Sequence, residues 1–375
     1  MKSFLIACFI LVCWSSLHGQ SLFEQLKDTL DNHPDLSQYM VSSYGITPLF
    51  IPITEPAVGI GGALALIYLH KDKSDLGKKK SDPASVSAIG GLYTSNQSWG
   101  VFGGHVGYWN HDRIRYRGGL GYLSMNLTYY RTAIAGEGER QSDFNLEGFG
   151  TSQEFMFRYK DSHVYVGFRY SFFKSEIGFV EDVELPEIRP WEIESRLGGL
   201  GPEIQFDSRD NTFTPNRGIR ALASYLFYDP AFGSNTSYKL LNATFLGYEY
   251  LAKNLNVGLR LNGQFVFGDA PFYAQPFIQL RGVPAMRYQG ISTVLAETEA
   301  RWDFSLRWSL VGFTGVGRVK PEFEDISKDE TAYNVGFGFR YLLARLMGIR
   351  AGIDVARGPE QWAVYIQFGS AWSLY

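Results

Sequence analysis

The residues that could carry out acid–base chemistry are few and lie far apart in the sequence. No G-x-S-x-G nucleophile turn and no H-E-x-x-H metal motif occurs beyond the first nineteen residues. His105 alone falls where an alternating strand would direct it inward, and hydrogen bonding is the ordinary role of such a histidine. A Ser/His pair on neighbouring strands stays open as an alternative. We therefore predict no catalytic residue, no cofactor and no metal site among the histidines, which are His33, His70, His105, His111 and His163.

The first nineteen residues have the order of a secretory signal peptide. Lys2 precedes an apolar stretch from Phe4 to Trp14, and small residues lead to Gly19. We expect residues 1–19 to be removed. Both cysteines, Cys8 and Cys13, lie in this segment, so the rest of the chain has no thiol for a disulfide, a metal site or nucleophilic catalysis.

Residues 20–45 are predicted to form a short periplasmic helical segment. Ser21 can cap a helix while Glu24 returns a hydrogen bond to the backbone of Ser21, and apolar residues follow at spacings of three and four. The helix should end near Asn32, because the residue before Pro34 avoids helical angles.

The composition excludes several broad classes. Of 375 residues, 41 are Gly, 16% are aromatic and only 19% are charged, while 45% are hydrophobic, which is too many for a disordered chain. The formal net charge of -3 provides no field for attracting nucleic acid. Beyond the signal, no apolar run is long enough for a transmembrane helix.

From residue 46 to 375 the sequence alternates with a period of two. Between Tyr333 and Tyr341, for example, aromatic and apolar residues alternate with Asn, Gly and Arg. A soluble β-sandwich is the alternative for any alternating chain. The predicted segments of about ten residues, the aromatic residues at strand ends and the polar second face instead favour a membrane barrel with a wet lumen.

Sixteen strands can be counted, which predicts an all-β fold, a 16-stranded antiparallel transmembrane β-barrel preceded by the short helix. An even number places both termini on the periplasmic side. Long outer loops are expected at 127–145, 180–195, 268–291 and 318–331, and a charged periplasmic loop at 71–83. The predicted strands are 46–53, 57–70, 84–95, 98–109, 114–126, 146–159, 163–179, 196–207, 218–228, 237–250, 255–267, 292–304, 307–317, 332–343, 349–356 and 361–373.

Two motifs stand out against this pattern. The first, D-S-R-D-N-T-F-T-P-N-R-G, predicts a turn after the eighth strand, shaped by proline and glycine and cross-linked by acidic residues and arginine. Its key residues are Asp207, Arg209, Asp210, Pro215 and Gly218. The second is L-R-G at Leu280, Arg281 and Gly282, in the long loop before the twelfth strand. A buried arginine needs an anionic partner, and Glu297 and Glu299 point inward on the next strand. The alternative is that Arg281 is an exposed loop residue.

These motifs and their order along the strands resemble those of the BamA/TamA, or bacterial surface antigen, superfamily. In that family the loop arginine folds into the lumen and is held by an aspartate in a Phe-x-Asp-x-Gly pattern. Here the corresponding segment, Phe313–Gly317, has no aspartate, which leaves Glu297 or Glu299 as substitutes. The last strand ends in Trp372 and Tyr375, similar to the family's C-terminal assembly signal. The resemblance does not extend to POTRA repeats and covers residues 46–375.

The resemblance implies a noncatalytic outer-membrane barrel that assists protein insertion or translocation. The alternative is a passive pore, a lipid-handling barrel or a structural barrel. The expected partners are outer-membrane lipids, substrate outer-membrane or secreted proteins, and a periplasmic or lipoprotein accessory. The implied route is a seam between the last strand and the first, because Pro48 and Pro52 remove ladder donors from the first strand. A lumen ion pair between Arg350 and Asp354 is also expected.

Overall fold

A computed structural model describes residues 26–42, 46–70, 85–132, 139–179, 189–321 and 329–372. The predicted signal peptide, the charged loop 71–83 and Tyr375 lie outside these residues. The described chain forms one sheet of sixteen antiparallel strands, each paired with the next in sequence order. This confirms the predicted sixteen-stranded barrel.

The strand bounds follow the predicted alternation closely. The strands are β1 (Ile46–Glu55), β2 (Gly59–His70), β3 (Ser85–Thr94), β4 (Trp99–Trp109), β5 (Ile114–Thr132), β6 (Glu139–Arg158), β7 (Val164–Phe179), β8 (Glu194–Asp207), β9 (Gly218–Tyr228), β10 (Tyr238–Ala252), β11 (Leu255–Gly268), β12 (Ser292–Trp302), β13 (Trp308–Lys320), β14 (Glu330–Ala344), β15 (Ile349–Arg357) and β16 (Trp362–Phe368). Two short helices are α1 (Ser37–Ser42) and α2 (Pro190–Ile193). Neither these nor any other helix in the described residues has the length and apolar character needed to cross a membrane.

Strands β5 and β6 are longer than predicted. The expected loop 127–145 is mostly strand, because β5 continues to Thr132 and β6 begins at Glu139. The extension is stabilised from inside the barrel, where Phe144 is buried and packs with Phe272 and Met286 of the β11–β12 loop. This apolar contact keeps the segment extended, although its composition had predicted a loop.

The predicted helix at residues 21–32 is wrong over the part that is described. Residues 26–32 form turns, and the helix lies later, at α1. The carboxylate of Asp28 accepts a hydrogen bond from the backbone N–H of Leu30, and that of Asp31 accepts one from His33, both at 3.1 Å. Such local bonds compete with helical backbone hydrogen bonds, and Asn32 adopts a positive φ of 56° that ends any helical path.

We call residues 26–37 the N-terminal clasp, because they bind turns at the other end of the sequence. Arg307, in the β12–β13 turn, donates to Asp31 and Asp35 at 2.6 Å and also to Asp28. Arg345, in the β14–β15 turn, also donates to Asp28. Backbone contacts reinforce these pairs, since Leu36 N–H donates to Leu343 O at 2.8 Å and Tyr341 Oη donates to Pro34 O at 2.7 Å.

The first and last strands meet without a ladder. Within the described strands, no backbone ladder joins β1 to β16, whereas every other adjacent pair is laddered. A weak contact spans this seam, from the Ile366 N–H to Thr54 Oγ1 at 3.4 Å. The clasp runs into α1, which ends at Ser42, and β1 begins at Ile46. The turns that the clasp binds lie at the barrel end where β1 begins. We call this end the terminal rim.

The last strand is shorter than predicted. The expected strand 361–373 ends as β16 at Phe368, because Gly369 adopts a positive φ of 76° that turns the chain inward. Trp372 therefore lies inside the barrel, where it is buried against Leu246 and Tyr248. The terminal aromatic residue that resembled an assembly signal is, at Trp372, part of the lumen packing.

We predict that Arg307→Gln releases the clasp and leaves the barrel folded. The substitution removes the donors that three aspartates share, so hydrogen exchange at the Leu36 amide should accelerate roughly tenfold or more. Hydrogen-exchange mass spectrometry over residues 26–42 would measure this change. The matched control is Arg113→Gln, which breaks an exposed pair with Asp161 at the same rim. Equal exchange in both variants would show that Arg307 does not hold the clasp.

The protection of the clasp amides from hydrogen exchange should also depend on pH, in a direction set by the aspartate pKa values. Hydrogen bonding by Arg345 lowers the pKa of Asp28, and hydrogen bonding by Arg307 lowers the pKa of Asp31 to about 2. Carboxylates with a lowered folded-state pKa stabilise above their ordinary value of 3.8, and the stabilisation is lost as pH falls through the folded value. Protection factors at Leu36, corrected for intrinsic exchange, should stay level from pH 7 to about 5 and drop below about 4. A drop between pH 7 and 5 would contradict this account.

Candidate functional site

The β11–β12 loop folds back into the barrel and carries the L-R-G motif to its interior. Leu280 is buried in an apolar cluster with Ile278, Val283 and Leu295. Gly282 adopts a positive φ of 89°, and a Cβ there would lie 2.7 Å from the backbone nitrogen of Gly358. Glycine is therefore required at this position, both for its conformation and for the close approach of two backbones.

Arg281 lies between three carboxylates on two strands. Its Nε donates to Glu297 Oε1 at 3.1 Å, and its Nη1 donates to Glu299 Oε2 at 2.7 Å and to Asp354 Oδ2 at 2.9 Å. The guanidinium carbon stands 3.4 Å from the ring centroid of Phe313. The planar guanidinium suits this combination of forked hydrogen bonds and ring stacking, which lysine could not reproduce.

Further donors satisfy the same carboxylates. Arg340 donates to both oxygens of Asp354. Glu297 accepts from Asn334 at 3.1 Å and from Trp372 Nε1 at 2.7 Å, and it faces Arg260 at 3.7 Å. Because charges are costly to bury alone, this network holds the loop, the barrel wall and the C-terminal segment as one unit.

Glu297 and Glu299, the partners considered from the sequence, both contact Arg281, and Asp354 is a third partner that sequence reasoning missed. The expected ion pair between Asp354 and Arg350 is wrong. Arg350 donates instead to Ser309 at 2.7 Å and faces Asp303 at 3.4 Å. Residues four apart on a strand are separated by about 13 Å along it, which is too far for a direct pair. The available signal was that Asp354 lies on the inward face of its strand.

The D-S-R-D motif forms the turn between β8 and β9 at the terminal rim. Arg209 makes a forked pair with Asp207, at 2.9 and 3.0 Å. Asp210 accepts the backbone N–H groups of Asn216 and Arg217, at 2.8 and 3.2 Å. Gly218 begins β9 with a φ of 99°.

The same turn also reaches into the barrel. Pro215 lines a small cavity with Tyr248, Arg301 and Trp372. Asn216 accepts a hydrogen bond from Arg301, and the Ser370 N–H donates to Phe213 O at 2.6 Å. The turn and the C-terminal segment therefore close the terminal rim on the side of the later strands.

His105 faces outward, so the sequence-based placement on the lumen face is wrong. It pairs in register with Ser87 and Gly118, on the face that also carries the exposed Ile89 and Leu120. His105 Nδ1 and His70 Nε2 both lie 2.8 Å from Ser87 Oγ. The glycine-rich stretch around it hid which face was apolar, because Gly103 and Gly104 give no signal on either face.

The lumen has two walls of different character. One, which we call the ionic wall, covers the inward faces of β5 to β9 and the turns beside them. Its buried and partly buried charges are six arginines against four carboxylates, an excess of two positive charges: Arg115, Arg117, Arg158, Arg169, Arg209 and Arg220, with Asp112, Glu154, Glu203 and Asp207.

The other wall, which we call the apolar wall, covers the inward faces of β1 to β4. Register places the two walls side by side, since one row of partners runs Leu69, Val86, Val106, Arg117 and Glu154. Its positions are Thr47, Leu49, Ile51, Ile53, Ala63, Ala65, Ile67, Leu69, Val86, Ala88, Gly90, Leu92, Phe102, Gly104 and Val106, none of which is charged. Glu55, the last residue of β1, is a charged residue on the same inward face and lies beyond the end of this wall. The expectation of a polar second face is therefore wrong over the listed positions.

The described residues contain no group of three or more His, Cys, Asp or Glu residues that could hold a metal ion. The chain matches no protein-family model and no curated protein sequence. Comparison with solved structures is informative. A crystal structure of BamA from Haemophilus ducreyi lacking POTRA domains 1-3 superposes with a TM-score of 0.56 at 13% identity, over 93% of this chain and 81% of that one.

CdiB from Escherichia coli gives a TM-score of 0.57 at 10% identity, over 87% of this chain, which spans 62% of the length of CdiB. The fold therefore defines a sixteen-stranded barrel of the outer-membrane type. More particularly, it is the barrel fold of BamA and CdiB, as the resemblance to the BamA/TamA superfamily implied. At these identities the likeness shows the fold.

We predict that Arg281→Met destabilises the barrel by about 3–5 kcal/mol, because it leaves buried carboxylates without their shared cation. Chemical unfolding in detergent, followed by the shift in gel mobility on unfolding, would measure it. Arg287→Met is the matched control from the same loop. Its guanidinium pairs with the partly exposed Glu360 and lies over the rings of Tyr130 and Tyr288, outside the buried carboxylate network, so the change should cost about 1–2 kcal/mol. A similar loss in both variants would place the stabilising interactions elsewhere in the loop.

Proposed function

We propose that this protein is a noncatalytic barrel of the bacterial outer membrane that assists the insertion or translocation of a substrate protein. In this proposal the terminal rim and both chain termini face the periplasm. Residues 1–19 are a cleaved signal, residues 20–45 form the periplasmic segment that includes the clasp, and residues 46–375 are the barrel. Its partners would be membrane lipids, substrate proteins and a periplasmic or lipoprotein accessory.

The observation that carries this proposal is the seam between β1 and β16. An edge strand without a partner presents unpaired N–H and C=O groups, to which an extended substrate segment can add. A barrel that spans lipid ordinarily closes all its edges, because unpaired backbone groups are costly there. The seam is therefore the one place in the described sheet where a strand could be accepted without breaking a ladder.

The packing of the lumen supports a lateral route over an axial one. The β11–β12 loop, the β8–β9 turn and Trp372 occupy the interior beside the later strands, and Arg281 ties the loop to β12 and β15. An axial path would have to disrupt this buried charge network. Opening at the seam would break the contact between Thr54 and Ile366 and the hydrogen bond from the Ala285 backbone to Glu55, and it would loosen the clasp, but it would break no strand ladder.

The experiment that tests the proposed function is quantitative proteomics of isolated outer membranes after depletion and restoration of this protein. Selective loss of one or a few barrel or surface proteins, reversed on restoration, would support the role and identify the clients. An unchanged profile would contradict it. Single-channel conductance separates the pore alternative, in which Arg281→Met should open the lumen and raise conductance.

We predict that a disulfide between Thr54→Cys and Ile366→Cys abolishes activity in the restoration assay, with recovery on reduction. The two positions contact each other across the seam, and no other cysteine is present beyond the signal. The control lock joins Leu66→Cys to Ile89→Cys, which are register partners on the outward faces of β2 and β3. This lock spans a laddered pair and should leave activity unchanged. Full activity in the locked seam variant would contradict the lateral route.

A further inference from the structure

We propose that the apolar wall of the lumen, together with Arg117 and Arg220, is a binding site for an anionic phospholipid. The acyl chains would lie on the inward faces of β1 to β4, and the headgroup phosphate would lie at the two arginines. This site goes beyond the proposed role in protein insertion and does not depend on it.

Among the described residues, the apolar wall is open to the lumen over much of its surface. Leu49 and Ile51 are 39% and 38% exposed on the inward face of β1. Ile67, Leu69, Val86 and Val106 are partly exposed on the next three strands. Apolar surface of this extent is unfavourable in water, and a continuous patch of it ordinarily marks a binding surface.

The wall suits acyl chains better than a polypeptide. Strands β2 and β3 are laddered on both sides, so their inward surfaces have no free backbone groups to pair with a peptide. A peptide lying there would leave its own N–H and C=O groups without partners, at a substantial cost. Hydrocarbon has no such requirement. The ring of Phe102 packs over Gly90, so the wall stays apolar where the glycine has no side chain.

The neighbouring arginines supply the complement for a phosphate. Arg117 is the register partner of Val106, its guanidinium lies 3.8 Å from Glu154, and its side chain is 35% exposed. Arg220 is buried, and its Nε has no hydrogen-bond partner among the described residues. The charged groups close enough to act on Arg220 are two arginines, Arg117 and Arg209, and two carboxylates, its register partner Asp207 and Glu154. An anion placed here would pair Arg220 and offset the excess positive charge of the ionic wall.

The seam provides an entry for such a lipid. Leu49 and Ile51 belong to β1, so the apolar wall begins at the unladdered edge and continues from it to β4. The outward face of the same strand is also apolar, with Phe50 exposed. An acyl chain could therefore pass around β1 without leaving an apolar surface.

The test uses bimane attached to single cysteines in the full-length protein, reconstituted in vesicles with brominated phosphatidylglycerol or brominated phosphatidylcholine. Ile67→Cys reports the apolar wall, Leu66→Cys the outward face and Lys253→Cys the aqueous rim. We expect Ile67 to be quenched by brominated phosphatidylglycerol roughly fivefold more than by the choline lipid, as attraction to basic residues predicts, while Leu66 shows no preference. Iodide should quench Lys253 and not Ile67.

Charge variants complete the test. Arg117→Gln with Arg220→Gln should abolish the headgroup preference at Ile67, and Arg117→Gln alone, which removes a partly exposed group, should reduce it. Arg113→Gln, at an exposed turn, should retain the preference.

Iodide quenching at Ile67 equal to that at Lys253 would overturn the site. Equal quenching by both lipids, or loss of the preference on adding inorganic phosphate, would overturn the headgroup assignment. Displacement of lipid quenching by a β-hairpin peptide would assign the wall to a polypeptide instead.

Discussion

The burial of Arg281 is the interaction on which the interior of this barrel depends. One guanidinium bridges β12 and β15 through Glu297, Glu299 and Asp354, and Glu297 extends the network to Trp372. A buried charge of this kind adds little net stability by itself, because desolvation offsets much of the attraction. Its consequence is specificity: the loop, two strands and the C-terminal segment have one arrangement that satisfies all their charges, and any other leaves a carboxylate or the arginine unpaired.

Contacts with the loop and with the clasp are concentrated on one part of the barrel. Strands β12 to β15 are bound to the loop from inside, and the β12–β13 and β14–β15 turns are bound to the clasp at the rim. For strands β2 to β4 neither kind of contact is seen in the described residues, and β1 contacts the loop at its end, where the Glu55 carboxylate accepts a hydrogen bond from the Ala285 backbone. Most inward side chains of these four strands are small or apolar. The seam lies between strands with many contacts to the loop and the clasp and strands with few. It would therefore open by movement of β1, while β16 stays paired with β15. The clasp limits that movement, because it connects the chain just before β1 to the braced side.

The sequence predicted the barrel well, because strand number and register depend on local alternation, which each segment carries independently. Both motifs were also recognised from the sequence, because glycine, proline and arginine at these fixed spacings occur in few other structural contexts. Most of what failed depended on distant contacts. Asp354 was assigned to the wrong arginine because its partner comes from a loop more than seventy residues earlier. The turns at Asp28 and Asp31 replaced a predicted helix because those carboxylates bind both local backbone groups and Arg307. Trp372 turned inward because of a single glycine.

The chemical difference between the two lumen walls bears on how the seam could open. A barrel that only conducts water or ions would gain from polar side chains all round its interior, as the ionic wall has. An interior wall that is uncharged from Thr47 to Ile53 and on the inward faces of β2 to β4, and that is continuous with an unladdered edge, is instead compatible with hydrocarbon on both faces of the same strands. Opening the seam would cost such strands little free energy, because apolar side chains lie on both of their faces. Lipid entering on the inner face would replace the wet lumen with the environment that already surrounds the outer face. The apolar wall would therefore lower the cost of opening at β1, and the arginine excess beside it would keep a headgroup at the boundary where the lumen becomes polar.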